Sequence, residues 1–200
     1  MLIKKKKGLI IVLSSPSGAG KTTLAKKLLL ELPNLKLSVS LTTRSPRNTE
    51  VNQIDYQFVN LNFFKKKIKK KLFLEYAKVF DNYYGTLRTQ VLKKINNGQN
   101  VLLDIDWQGA RQVKKLMPND VLSIFILPPS IQELENRLKK RKHKTDFVKK
   151  RMSKAKQEIM HWKEYDYAVV NDDLNKCLKI VKQIINFEKY KSIRQSIKKF

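Results

Sequence analysis

Lys21 and Thr22 close the stretch LIIVLSSPSGAGKT, in which an apolar run breaks into a glycine-rich loop. A lysine and a hydroxyl at that position are the pair that binds nucleotide phosphates: the ammonium reaches the β- and γ-phosphates, and the hydroxyl takes Mg²⁺. Ser15, Pro16, Ser17, Gly18, Ala19 and Gly20 form the turn that curls backbone N–H groups inward, and the helix beginning near Thr22 adds its positive end. The strict pattern has glycine at the first position, where this chain has Ser15. The loop predicts nucleotide binding without saying which nucleotide.

Acids and arginines extend the chemistry. The strand VLLDID ends in Asp104 and Asp106, and an apolar strand ending in Asp suits a carboxylate that holds Mg²⁺ or its water, which assigns Thr22 and Asp104 as metal ligands. Arg44 and Arg47, with Tyr56 nearby, could clamp a phosphate through guanidinium forks and a phenol hydroxyl; a solvated loop is the plainer alternative. Basic residues here are 35 Lys and only 8 Arg, yet residues 44–47 and 137–151 hold five of the arginines. A chain so rich in lysine retains arginine where planar, bidentate geometry is required. Arg137, Arg141 and Arg151 flank a polar loop around His143, an arrangement suited to a lid that carries cations onto transferring phosphates.

Positioning these groups requires alternating strands and helices. A strand over Leu9–Leu13 and a helix that stops before Pro33 frame the loop. Between Leu37 and Tyr84 lie short extended pieces (LSVSLTTR, DYQFV, FLEYAKVF) and a lysine-rich helix over Phe63–Lys71, which predict a small inserted lobe with a mixed sheet. A helix over Thr89–Asn97, with Gly98 to cap it, precedes VLLDI, a helix over Gln108–Leu116 and the strand VLSIFIL. Ser130 and Glu133 form a capping-box pattern opening a helix to Lys140, and a second helix runs over Asp146–Lys163. The strand YAVVN and a helix from Leu174, with Leu174, Leu178, Val181 and Ile185 on one face, complete the chain. The expected class is α/β: a parallel sheet flanked by helices, with the inserted lobe and a helical lid.

Composition excludes several classes. Hydrophobic residues at 42% exclude a disordered chain, and no apolar stretch reaches membrane-spanning length. The start, MLIKKKKGLIIVLSS, imitates a signal peptide, but its short apolar part runs into the phosphate loop, so secretion is not expected. A lone Cys177 rules out an internal disulfide and suits a reducing cytoplasm. The net charge of +26 accompanies an abundance of Lys, Asn, Ile and Phe, as an AT-rich coding sequence would produce. Runs such as FFKKKIKKK keep polyanion binding as a competing account, although no RNA-reading motif accompanies them. No specific nucleic acid and no membrane partner is expected, and both a monomer and a homo-oligomer fit.

The fragments SSPSGAGKT, SVSLTTRSPR, DYQFV, FLEYAKVFDNYYGT, VLLDIDWQGA, SIFILPPS and EYDYAVVNDD together resemble guanylate kinase, from about Gly8 to Tyr190. The resemblance implies ATP-dependent phosphorylation of GMP and dGMP, with ATP as co-substrate and Mg²⁺, and makes Ser15 a family trait. It implies that Arg44, Arg47, Tyr56 and Tyr84 bind the GMP phosphate and that Ser40, Glu75, Thr86 and Asp106 read guanine. Lys21, Arg44, Arg137, Arg141 and Arg151 would be catalytic, and Asn171 and Asp172 would contact adenine. The implied division is a core over 1–37, 88–130 and 162–200, a GMP lobe over 38–87 and a lid over 131–161. A catalytically inactive relative that binds phosphopeptides, and a different nucleoside-monophosphate kinase, are the alternatives. Departures from the family pattern are PRNTE, NQIDY and KKRKHK, each lacking an expected turn glycine, which bears on the rate of loop closure.

Overall fold

In this computed structural model, which describes residues 7–79, 81–140 and 145–194, the chain divides into two compact units. One is drawn from Ile11–Pro33 and Leu122–Phe200, the other from Met1–Ile10 and Asn34–Val121.

The unit that carries the glycine-rich loop is built on β1 (Ile10–Ser14), whose five residues are all buried, as a continuous apolar strand covered on both faces should be. It lies beside β8 (Val121–Leu127), which pairs in parallel with β9 (Tyr167–Val170) in the register Ile124↔Tyr167 to Leu127↔Val170. Asp166, just before β9, accepts from both the N–H (2.8 Å) and the hydroxyl (2.7 Å) of buried Ser123, which fixes that register. Helix α1 (Lys21–Glu31) leaves the loop and packs on α7 (Leu174–Glu188), whose apolar face is Cys177, Leu178, Val181 and Ile185. The Asp173 carboxylate caps α7 by accepting from Lys176 N–H at 2.8 Å.

Two further helices belong to this unit. The Ser130 hydroxyl accepts from Glu133 N–H at 3.0 Å at the start of α5 (Ile131–Lys140), the capping read from the sequence. Helix α6 (Thr145–Ile159) ends four residues earlier than the pattern to Lys163 predicts. Met160 and His161 donate three residues back, to Gln157 and Glu158, and a short 3₁₀ turn over Trp162–Glu164 follows. Such i→i+3 bonding winds the chain too tightly for an α-helix to continue.

In the other unit, β2 (Leu35–Leu37) pairs in parallel with β7 (Asn100–Asp104). A second, mixed sheet has the order β4–β3–β6–β5, with β3 (Leu41–Thr42), β4 (Gln57–Phe58), β5 (Phe73–Val79) and β6 (Asn82–Leu87). Strands β3 and β4 run parallel, and the other pairs are antiparallel. The β6 strand was not singled out in sequence, because NYYGTL lacks an apolar alternation and takes its order from lying between β3 and β5. Helix α2 (Leu61–Lys69), capped by the Asn60 side chain, turns Phe64 onto Phe73 with ring centroids 4.5 Å apart, and Leu41 completes that buried cluster. Helix α3 (Arg88–Asn96) has Asn97 as its C-cap and is followed by Gly98, whose φ of 78° is the left-handed value expected of a terminating glycine. Helix α4 (Trp107–Leu116) begins at Asp106 and packs against β5.

Candidate functional site

The arginine cluster forms around an acid. Arg44 follows β3, and its Nη2 reaches Glu50 Oε1 at 2.8 Å while the other oxygen of Glu50 accepts from Arg47 N–H at 2.8 Å. The Arg44 guanidinium lies 5.5 Å from the Tyr56 ring centre and 5.8 Å from that of Phe58, and Tyr56 meets Tyr84 edge-on at 5.9 Å. The bond to Glu50, aided by Tyr84, raises the Arg44 pKa further above its already high value, and the same bond lowers that of Glu50. A planar cation thus stands fixed between an acid and two phenols, while Arg47 beside it is exposed. Glu50 is the member that the residue types did not single out. Its signal was faint but present: an acid three residues after Arg47 in a chain with 17 acids against 43 bases.

Glu75 occupies a different environment. It sits on β5 directly opposite Thr86 on β6, and both are buried, Glu75 to 3% exposure. The Thr86 hydroxyl lies 3.0 Å from that of Ser40, so three of the predicted residues are neighbours. Burial, with the charge of Asp106 adding to it, raises the Glu75 carboxyl to about 7 against the pull of hydrogen bonds from Thr86. Among the described residues its Oε1 has no hydrogen-bond partner. A buried carboxylate oxygen with unspent acceptor capacity is costly unless something else satisfies it. Asp106 caps α4, accepting from Gly109 N–H at 3.1 Å and from the Gln108 amide at 3.1 Å. Asp104 stands half-buried at the end of β7.

In the other unit the loop is held open by backbone geometry. Gly18 and Gly20 have φ of 100° and 95°, values that side-chain-bearing residues rarely adopt. Ser15, Pro16, Ser17 and Ala19 complete the turn, Lys21 opens α1, and Thr22 is exposed in its first turn. Buried Asn171 donates its side-chain amide to Ala19 C=O at 2.7 Å, so this residue braces the loop from below. Asp172, next to it, is exposed.

Two of the three arginines expected in a lid reach this neighbourhood. Arg137 on α5 bonds Glu133 at 2.9 Å and Asn171 C=O at 3.2 Å, and Arg151 on α6 donates to the Ser17 hydroxyl. Glu158, also on α6, accepts from Ser17 N–H at 3.3 Å, a contact that no local pattern signals. Arg141 lies outside the described residues.

Comparison with known proteins is concordant. Residues 7–188 match the family model described as Guanylate kinase. The chain is 49% identical over 191 residues to a guanylate kinase of Maricaulis maris, covering 95% of this chain and 88% of that one. It is 51% identical over 189 residues to that of Rickettsia prowazekii, covering 94% and 95%. The crystal structure of guanylate kinase from Anaplasma phagocytophilum superposes with a TM-score of 0.81 at 38% identity, over 96% of this chain and 91% of that one.

Proposed function

The chain belongs to the guanylate kinase family, nucleoside-monophosphate kinases that convert ATP and GMP to ADP and GDP, and from that premise we propose how its residues divide the work. The glycine-rich loop, Ser15–Gly20, is a P-loop: its N–H groups, which Pro16 lacks, and the Lys21 ammonium cradle the ATP phosphates, with Asn171 and Asp172 toward adenine. Arg44, Arg47, Tyr56 and Tyr84 clamp the phosphate of GMP. The observation that carries the acceptor side is Glu75, buried to 3% with Oε1 unpartnered. Guanine offers N1–H and an exocyclic amine, two donors for a carboxylate, whereas adenine turns a lone pair toward it. Leaving the carboxylate unpaired against adenine costs about 1–3 kcal/mol or more, enough to set a preference. Ser40, Thr86 and Asp106 complete the guanine reader.

Phosphoryl transfer needs charge neutralised as it moves between oxygens, and arginines held in place do this without reorganising. Arg44 is pre-set by Glu50. Arg137, Arg141 and Arg151 approach from the lid, residues 131–161, while the GMP lobe covers 38–87 and the core the remainder. Magnesium enters with ATP, and we assign it the Thr22 hydroxyl and the Asp104 carboxylate. Among the described residues no three or more His, Cys, Asp or Glu gather as a metal cage, and a nucleotide-borne ion requires none. No described helix is long and apolar enough to cross a membrane. Cytoplasmic action fits a chain whose single cysteine, Cys177, leaves no internal disulfide to form.

The curated relatives, which match nearly the whole chain, do not favour a phosphopeptide-binding module. A coupled assay of ADP production tests the acceptor reading. GMP and dGMP are expected to turn over, with AMP and UMP poor; AMP turning over as fast as GMP overturns the guanine reader.

A further inference from the structure

Helix α4 meets the Glu75 strand at three positions spaced by three residues. Asp106 caps the helix, and its charge acts on the Glu75 carboxyl. Gly109, one turn on, lets the Glu75 carboxylate press against the helix: a Cβ there would stand 2.5 Å from Glu75 Oε2, too close to fit. Gln112, a further turn on, accepts from Tyr76 N–H at 3.1 Å and donates to Tyr76 C=O at 2.8 Å.

Strand β5 is the edge of the mixed sheet, so the outward N–H and C=O of Tyr76 have no neighbouring strand. The Gln112 amide supplies both bonds that such a strand would make. It is itself oriented by α4, since its Nε2 also donates to Gln108 C=O at 3.2 Å. Glu75 precedes Tyr76 and points to the opposite face of the strand. Fixing the Tyr76 backbone therefore fixes the height of the Glu75 carboxylate above Gly109.

We propose that Gln112 is a positioning residue for acceptor selection: its two bonds to Tyr76 hold the guanine-reading carboxylate at one depth against α4. This rests on the assignment of Glu75 as that reader. Gln112 touches no reacting group, and it acts through the strand. Without it, β5 is free to lift from the helix, the close contact between Glu75 and Gly109 opens to water, and the carboxylate loses both its fixed height and its burial. The groups acting on that carboxylate are Thr86 from β6 and Asp106 from α4, and neither changes in a Gln112 variant.

The test compares Gln112→Met, which keeps the shape and loses both bonds, with Gln112→Glu, which keeps an acceptor for Tyr76 N–H. The full-length enzyme is assayed with GMP and ATP from pH 5 to 8, and melting temperature is recorded for each variant. Gln112→Met is expected to raise the GMP KM about five- to tenfold, the worth of one or two neutral hydrogen bonds, with the ATP KM and kcat at saturating GMP within about twofold. The pH at which the GMP KM begins to climb should move below its position in the unmodified enzyme, as water reaches the carboxyl. Gln112→Glu should fall between the two. An unchanged GMP KM and pH profile in Gln112→Met overturns the proposal, as does an equal loss for ATP tracking a fall in melting temperature. Glu75→Gln, run in parallel, separates the two layers. If it abolishes the pH dependence and the GMP preference while Gln112→Met alters neither, positioning fails alone. If Glu75→Gln itself leaves both intact, the reader assignment falls and the positioning role with it.

Discussion

In the division of work proposed above, the two units would handle nucleotide by different means. Around Arg44 and Glu75 recognition rests on side chains: a guanidinium braced by Glu50 and two tyrosines, and a carboxyl kept out of water beside Thr86. Around residues 15–22 it rests on backbone, with two glycines at positive φ and an Asn171 amide beneath them. Phosphate is common to both nucleotides, so a cradle of N–H groups suffices for the donor. An acceptor chosen by its base requires groups that a different base leaves unsatisfied.

That contrast predicts where each region is fragile. On the side-chain half, Arg44→Lys keeps the charge but loses the fork and the contact with Tyr56. It should lower kcat/KM for GMP about 100-fold, whereas Lys66→Arg on the exposed face of α2 should stay within about twofold. Equal losses in steady-state assays would erase the distinction between a fixed cation and a solvated one. On the backbone half, Gly20→Ala places a side chain at φ of 95° against the Asn171 amide. Strain of about 1–3 kcal/mol should raise the ATP KM roughly 10- to 100-fold and leave the GMP KM near its starting value. A matching rise for GMP would mean that the loop is not specific to the donor.

A third prediction sharpens the contrast through pH. The Glu75 carboxyl titrates near 7 when folded and near 4.5, the ordinary value, when unfolded. The folded chain therefore holds more protons between those values, so the stability from this group is fully present below about 4.5 and is lost as pH rises to 7. With Glu75 as the proposed guanine reader, binding would require the ionised form, so the GMP KM should rise up to about tenfold per pH unit below 7, with no such trend for the ATP KM. Glu75→Gln should remove that rise and leave only the milder titration of the GMP phosphate itself. The smallest effect is expected from Ser17→Ala, which removes the hydroxyl that anchors Arg151: a few-fold loss in kcat, read at saturating substrates.

Legibility in the sequence followed the range of the interaction. The glycine-rich loop, its flanking strand and helix, and the capping of α5 by Ser130 could be read because each depends on neighbours within a few residues. Arg44, Arg47, Tyr56, Glu75 and Thr86 could be singled out by residue type and family resemblance, although not the partners that hold them. Glu50 on Arg44, six residues away, left only a faint local mark, whereas Glu158 on Ser17 and Asn171 on Ala19 are tertiary pairings between residues more than a hundred positions apart, and no local pattern marks them. Strand β6 was missed for the same reason: its order comes from the strands on either side. The early end of α6 depends on backbone winding after Ile159, which the apolar spacing does not report.

The central claim is that the Glu75 carboxylate selects guanine, and it is tested most directly by measuring kcat/KM for GMP and AMP in parallel, before and after Glu75→Gln. A neutral amide presents a donor where guanine already offers two. The GMP value should therefore fall about 10- to 100-fold, the worth of charged hydrogen bonds at about 1.5–3 kcal/mol, while the low AMP value holds or rises. Equal falls for both nucleotides, or a GMP value unmoved by the change, would contradict it.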